Sequence, residues 1–141
     1  MHIESDRAVP DIVVAATDHK QLTGLATALI DRAPDLADDL LAEMERARVV
    51  APEAVPPDVV RMGSTVSYRD EEGGTREVTL VFPADADISA GRISVFTPIG
   101  VALIGLAAGQ SIAWTGRDGK PHRLVVLSVT APVAAVSMAS A

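Results

Sequence analysis

The hydrophobic pattern of the chain changes its period at a proline-rich stretch, and this change constrains the fold more than any other feature. Residues 51–60 read APEAVPPDVV, and proline at this density continues neither a helix nor a strand ladder. Upstream, apolar residues recur every three or four positions, as on one face of a helix, whereas downstream they alternate with polar residues. The sequence therefore predicts an α+β chain whose helical and strand-rich parts are joined by a stiff linker over residues 51–62.

Two amphipathic helices are predicted within residues 1–50, after a leader whose apolar run DIVVAA is either a strand or an extended arm. Asp18 and Gln21 have capping-box spacing at the start of the first helix, and Pro34 ends that helix and begins the second. The apolar faces consist of Leu22, Leu25, Leu29 and Ile30 in the first helix and of Leu36, Leu40, Met44 and Ala47 in the second. Because the turn between them is short, the helices are predicted to pack antiparallel as a helical hairpin.

Residues 63–130 contain five short runs of strand-like sequence, which predicts a small antiparallel sheet with one packed helix. The first two runs alternate Val66 and Tyr68, then Val78, Leu80 and Phe82, on either side of the turn DEEGG, as in a β-hairpin. RISVF, SIAWTG and HRLVVLSVT are the third, fourth and fifth strands, and an Asp-Gly turn joins the last two. The tail over residues 131–141 lacks periodicity and charge and is predicted to be flexible.

Charge and composition exclude several classes of function. The net charge of −7 offers no basic face for phosphates, so any DNA contact is expected to be indirect. The absence of cysteine excludes disulfides, a thiolate nucleophile and a cysteine-bound zinc. No stretch is long and apolar enough to span a bilayer, and the charged first residues lack the apolar run of a signal peptide. We therefore expect a cytoplasmic protein without a membrane partner.

The residue types that bind metals and phosphates occur, but not in the spacings that such sites need. His2, His19 and His122 have no i,i+4 partner and no nearby ligand pair, whereas a metal site needs several convergent donors. After Gly109 the chain reads QSIAW without a lysine, so this glycine-containing segment is not a P-loop. No serine lies in a recognisable nucleophile-elbow motif. We predict no metal, no cofactor and no catalytic residue.

Four acidic residues cluster at the predicted hairpin tip: Asp31, Asp35, Asp38 and Asp39. One interpretation is a carboxylate tip that helps to hold a divalent cation, which prefers several hard oxygens. The other is helix electrostatics, because an acid in the first turn gains about 0.3–1 kcal/mol from the helix dipole. Repulsion within each i,i+3 or i,i+4 pair costs about 0.2–0.5 kcal/mol, so the cluster is tolerable without any function. We favour this second interpretation.

The segment Ile93–Trp114 carries the most specific motif, since it reads ISVFTPIGVALIGLAAGQSIAW. It resembles the signature of the C-terminal domain of Gre-type transcription factors, approximately I-S-x-x-[ST]-P-[IV]-[AG]-x-A-L-x-G-x-x-x-G. The matching positions are Ile93, Ser94, Thr97, Pro98, Ile99, Gly100, Ala102, Leu103, Gly105 and Gly109. Gly100 is the choice seen in one branch, the regulator of nucleoside diphosphate kinase family, and residues 44–70 with their proline-rich linker look like that same branch.

This resemblance implies a fold, a partner and a mode of action. The C-terminal domain is expected to be FKBP-like and to dock on RNA polymerase core, on the largest-subunit coiled-coil at the rim of the secondary channel. Each helix of the hairpin has roughly 15 residues and reaches only about 22 Å, which is short for delivering an acidic tip to the polymerase active centre. We therefore expect a non-enzymatic transcription regulator that competes with Gre-type cleavage factors and does not itself efficiently stimulate transcript cleavage.

The resemblance assigns polymerase docking to the signature residues, namely Ile93, Ser94, Thr97, Pro98, Gly100, Ala102, Leu103 and Gly105. The residue types also suit a structural role, because Thr97 can cap a helix that Pro98 begins. The small residues let this helix lie close to a sheet, while Ile99, Leu103, Ile104 and Leu106 are predicted to fill the core. Sequence alone leaves open which face of the unit contacts a partner.

Two other functions stay as alternatives. A true cleavage factor would act through the acidic residues of the hairpin tip. A peptidyl-prolyl isomerase is suggested only by the FKBP-like fold, and fold does not imply function. The pocket of such an isomerase is lined by several aromatic residues, and this chain has one Trp, one Tyr and two Phe, which makes the isomerase the weaker alternative.

Overall fold

The computed structural model describes residues 10–116 and 118–132, so His2 and nearly all of the predicted tail lie outside the described residues. The helices are α1 (Ala16–Leu29), α2 (Pro34–Arg46) and α3 (Pro98–Leu103). The strands are β1 (Val13–Ala15), β2 (Arg48–Val50), β3 (Thr65–Asp70), β4 (Thr75–Val81), β5 (Arg92–Ser94), β6 (Ser111–Thr115) and β7 (Pro121–Thr130). Among the described residues, no helix combines the length and the apolar character that crossing a membrane requires. The α+β fold class is confirmed.

Helices α1 and α2 form the predicted hairpin, and Pro34 is the first residue of α2, as predicted. Their buried face consists of Leu22, Ala26, Ala37, Leu40 and Met44. The predicted capping role of Asp18 is wrong, because α1 begins at Ala16 and no side chain caps it. The Asp18 carboxylate instead accepts a hydrogen bond from the backbone N–H of Met62 at 3.1 Å, across to the C-terminal part of the chain.

The apolar run before α1 is a strand rather than a free arm. It is β1, which pairs in parallel with β2, the strand that follows the hairpin. The N–H of Val13 also donates to the carbonyl of Gly105 at 3.2 Å. β1 is therefore hydrogen-bonded both to the strand after the hairpin and to the chain just after α3.

A five-stranded sheet forms the C-terminal part, in the order β5-β4-β3-β7-β6. The pairs β3–β4, β3–β7 and β6–β7 are antiparallel, and β3 and β4 form the predicted hairpin. The edge strand β5 departs from the all-antiparallel prediction, because it runs parallel to β4. The two short 3-10 turns Pro83–Asp85 and Ile88–Ala90 lie between β4 and β5 and bring the chain back in the same direction. The assignment to an FKBP-like fold stays a prediction.

The buried core is continuous across the proline-rich stretch. One cluster joins residues of the hairpin, such as Leu22 and Leu40, to residues of the sheet, such as Leu80 and Val126. Within the predicted linker, Val60 is buried, and its N–H donates to the carbonyl of Leu106 at 2.7 Å. The division into residues 1–50, 51–62 and 63–130 stays a prediction, and the hairpin shares its core with the sheet.

Candidate functional site

An open, mostly apolar groove of about 560 Å³ lies where the start of α3 meets the turn between β6 and β7. Its walls come from four separate parts of the chain: the turns before β5, the segment from β5 into α3, the end of β6, and the start of β7. The lining residues are Ala86, Ile88, Ile93, Ser94, Thr97, Pro98, Ile99, Trp114, Gly116, Asp118 and His122. We call this cavity the apolar groove.

The signature residues divide into two sets in the structure. Ile93, Ser94, Thr97 and Pro98 line the apolar groove, and each is partly exposed. These four residues are therefore accessible to a partner. Ile99 joins them at the groove and is half-buried: it packs against the core, as predicted, while its exposed side lines the groove.

The other four signature residues, Gly100, Ala102, Leu103 and Gly105, are packed inside the protein. A Cβ atom at Gly100 would collide with the carbonyl oxygen of Ser94 and would lie 2.7 Å from the Cα of Val95. Gly105 has φ +84°, and a Cβ atom there would lie 2.7 Å from the Cβ of Ile12. These positions let α3 and the chain after it pack closely, and they do not reach the apolar groove.

Thr97 holds the groove-lining residues in place through local hydrogen bonds. Its hydroxyl donates to the carbonyl of Ser94 at 2.7 Å and accepts from the N–H of Gly100 at 3.0 Å, which caps α3 as predicted. The Ser94 hydroxyl accepts from the N–H of Phe96 at 3.0 Å. These local hydrogen bonds hold the turn between β5 and α3, and with it Pro98 and the groove-facing side of β5, in a defined position.

The end of β6 and the start of β7 supply a stacked pair of rings. Trp114 and His122 are cross-strand partners, and their ring centroids lie 4.8 Å apart with an interplanar angle of 27°. Neither residue belongs to the signature, and sequence reasoning did not single out Trp114. The available signal was the Asp-Gly turn, because it makes positions 114 and 122 face each other across a hairpin.

Two carboxylates hold His122 from different turns. Its Nδ1 lies 2.9 Å from Oε2 of Glu71 in the β3–β4 turn, and its Nε2 lies 3.4 Å from Oδ1 of Asp118 in the β6–β7 turn. The hydrogen bond to Glu71, followed by that to Asp118, raises the pKa of His122 above its usual value. The pKa of Asp118 is lowered, first by the N–H of Lys120 and then by His122. His122 is thus a partly covered histidine held by two carboxylates.

The acidic residues of the hairpin tip do not converge on a site. Asp31, Asp35, Asp38 and Asp39 are all exposed, and the described part of the chain holds no group of three or more potential ligands arranged for a metal ion. Asp39 also lines a separate cleft of about 280 Å³ between α2, α3 and β6. Partial desolvation there raises the pKa of Asp39, and the charges of Asp35 and Asp38 add to the shift, although much of the residue is exposed.

Comparison with protein families gives two matches that together cover nearly the whole described chain. Residues 55–131 match the model described as "Transcription elongation factor, GreA/GreB, C-term", and residues 10–50 match the one described as "Rnk N-terminus". The regulator of nucleoside diphosphate kinase of Escherichia coli (strain K12) is 37% identical over 121 residues, which are 85% of this chain and 89% of that protein. The chain belongs to the regulator of nucleoside diphosphate kinase family.

Gre-type relatives extend this family relationship. The transcription elongation factor GreA of Sphingopyxis alaskensis is 34% identical over 125 residues, which are 87% of this chain and 75% of that factor. A solved GreA/GreB-type elongation factor from Nitrosomonas europaea is 41% identical and superimposes with a TM-score of 0.70, covering 86% of this chain and all of that one. The resemblance read from the signature is confirmed, and these relatives are named as a regulator and as transcription factors, not as enzymes.

Proposed function

We propose that the protein is a non-enzymatic transcription regulator that binds RNA polymerase through the apolar groove. The observation that carries this proposal is the division of the signature, since its accessible half lines one groove and its other half is buried. The named relatives are transcription elongation factors, which supports polymerase as the partner. Within the polymerase, the resemblance points to the coiled-coil of the largest subunit, at the rim of the secondary channel, as the binding position. The protein would meet the polymerase in the cytoplasm.

The groove has the properties of a protein-binding surface. Ile88, Ile93, Pro98, Ile99 and Trp114 expose apolar surface in one concave region, and such contiguous patches mark interaction sites. Tryptophan is among the residues that most often dominate binding energy. A volume of about 560 Å³ accommodates a few apolar side chains from a partner.

The dimensions of the hairpin support regulation by occupying the docking position on the polymerase rather than by stimulating transcript cleavage. Helix α1 has 14 residues and α2 has 13, so the hairpin extends about 21 Å at 1.5 Å per residue. The tip acids are exposed, and the described residues contain no group of three or more of them arranged as ligands for a metal ion. A protein of this shape would compete with longer Gre-type cleavage factors for the docking position.

Binding to core polymerase is the direct test. We expect the folded wild-type protein to be retained by immobilised core polymerase and to be displaced by a Gre-type cleavage factor. Ile99→Glu places a charge in the apolar groove and is expected to weaken binding at least about tenfold, measured on protein shown to be folded by its thermal unfolding, because Ile99 also packs against the core. Leu127→Glu, on an exposed part of β7 outside the groove, is the matched control and should bind like the wild type. Failure of the folded wild type to bind would refute the proposal.

Transcript cleavage is tested separately with stalled elongation complexes. The wild-type protein is expected to leave the transcripts at full length and to suppress the cleavage that an added Gre-type factor stimulates. Shortened transcripts that disappear with the Asp35/Asp38/Asp39 triple alanine variant would instead support a cleavage factor acting through the tip.

A further inference from the structure

Ile88 is a groove residue that lies outside the signature and is far more exposed than any other large hydrophobic residue of the described chain. Its exposed fraction is 86%, compared with 45% for Val49 and 38% for Leu127. It lines the apolar groove together with Ile93 and Trp114. An isoleucine exposed to water beside an apolar groove has most of its side-chain area available for burial against a partner.

The turn that carries Ile88 is ordered before any partner arrives. The 3-10 turn Ile88–Ala90 is capped by Asp87, whose carboxylate accepts from the N–H of Ser89 at 3.1 Å and from its hydroxyl at 2.7 Å. The turn ends at Gly91, which has φ +76° and whose N–H donates to the carbonyl of Ile88 at 3.0 Å. Ile88 therefore lies on a closed turn rather than on an open loop.

The same turn is anchored to the sheet. Asp87 and Arg92 exchange two backbone hydrogen bonds of 2.9 Å, and the N–H of Thr79 on β4 donates to the carbonyl of Gly91 at 2.8 Å. The Arg92 guanidinium donates to the carbonyl of Asp85 at 3.2 Å. A preordered backbone reduces the entropy that a contact at Ile88 costs on binding.

The charges beside the groove specify what kind of segment it accepts. Asp85 and Asp87 flank the Ile88 turn, and Glu71 and Asp118 lie at the end near His122. All four carboxylates are exposed. Asp87 pairs with the Arg92 guanidinium at 3.7 Å, and Glu71 and Asp118 share His122, so the four carboxylates outnumber these two basic groups, on a chain whose net charge is −7. Complementarity therefore favours a partner segment with an apolar side chain flanked by basic residues.

We propose that Ile88 is an anchor residue of the polymerase-docking surface, and that it packs against an apolar side chain of a basic polymerase segment seated in the apolar groove. This inference rests on the proposed function, because it takes the polymerase coiled-coil as the occupant. It adds a determinant of affinity from the turns between β4 and β5, a region that the signature does not include.

The test compares truncations of exposed hydrophobic residues in binding to core polymerase. Ile88→Ala is expected to weaken affinity roughly tenfold, which corresponds to about 1.4 kcal/mol, mainly through faster dissociation. Ile88→Leu should restore most of the affinity because it restores the apolar volume. The midpoint of thermal unfolding should not change, since the side chain is 86% exposed in the free protein. Leu127→Ala is the matched control and should leave both quantities unchanged.

The outcomes separate this inference from the proposed function. Wild-type affinity for Ile88→Ala, together with loss of binding for Ile99→Glu, would overturn the role of Ile88 and leave groove docking intact. Equal loss of affinity for Ile88→Ala and Leu127→Ala would also overturn it, because the effect would then not be specific to the groove. Absence of binding by the folded wild type would refute both proposals.

Discussion

The two halves of the signature have different structural roles although they are adjacent in sequence. Ile93, Ser94, Thr97 and Pro98 face an open groove, whereas the segment from Gly100 to Gly105 is buried against β5 and β1. A match to the motif therefore reports two requirements at once, one for close packing and one for an accessible surface. Substitutions in the buried half should change stability, and substitutions in the groove half should change binding.

The largest expected effect comes from a substitution in the buried half of the signature. Gly100→Ala places a Cβ atom against the backbone of Ser94 and Val95, which only a backbone shift can relieve. We expect the free energy of unfolding to fall by about 3 kcal/mol or more, measured by urea denaturation. Gly24→Ala is the matched control, because Gly24 also lies in a helix and has nothing within 4 Å of the added Cβ atom. This control should stabilise the protein by about 0.5–1 kcal/mol, and a similar loss for both glycines would contradict the packing explanation.

An intermediate effect is expected at Thr97, where the two halves meet. Thr97→Ala removes the hydroxyl that accepts from the N–H of Gly100 and donates to the carbonyl of Ser94. Loss of such a cap costs about 1 kcal/mol of stability, and affinity for polymerase should fall as well because the groove residues lose their support. Thr97→Ser keeps the hydroxyl and should retain most of the stability and most of the affinity for polymerase. A loss of stability in Thr97→Ala without any loss of affinity would show that the cap does not organise the groove.

The smallest expected effect concerns His122 at the groove and depends on pH. Since its pKa is raised by Glu71 and then Asp118, protonated His122 stabilises the folded state below its unfolded pKa of about 6.5. That contribution is lost as pH rises through the higher folded pKa. An NMR titration should give a pKa above about 6.5 for His122, and Glu71→Gln should bring it down. The midpoint of thermal unfolding of wild type should fall slightly more from about pH 6 to about pH 8 than that of His122→Gln.

Local sequence rules predicted the elements that depend on neighbouring residues. Pro34 as the first residue of α2, Thr97 as the cap of α3 and the β3–β4 hairpin are all present, because each depends on a few adjacent residues. Asp18 is the instructive failure. Its spacing to Gln21 satisfied the capping rule, but its carboxylate accepts instead from Met62, 44 positions away in sequence.

The candidate site was only half predictable, because part of it is assembled by contacts between residues far apart in sequence. The signature singled out the residues from Ile93 to Pro98, whereas Ile88, Trp114 and His122 join them through the pairing of β4 with β5 and of β6 with β7. Ile99 packs against the core, as predicted, but it also lines the groove, and its apolar character alone could not show this second position.

The sequence by itself determined the family, the α+β class and the order of the three helices and of strands β3 to β7, because periodicity, proline and glycine act over a few residues. It left β1 open and did not predict β2, which form by pairing with each other across the hairpin. Only the tertiary structure decided which signature residues are accessible and which are buried. That outcome depends on two separate sets of contacts. β5, the start of α3 and the β6–β7 turn form the groove, and Ile12 packs against Gly105, 93 positions away in sequence.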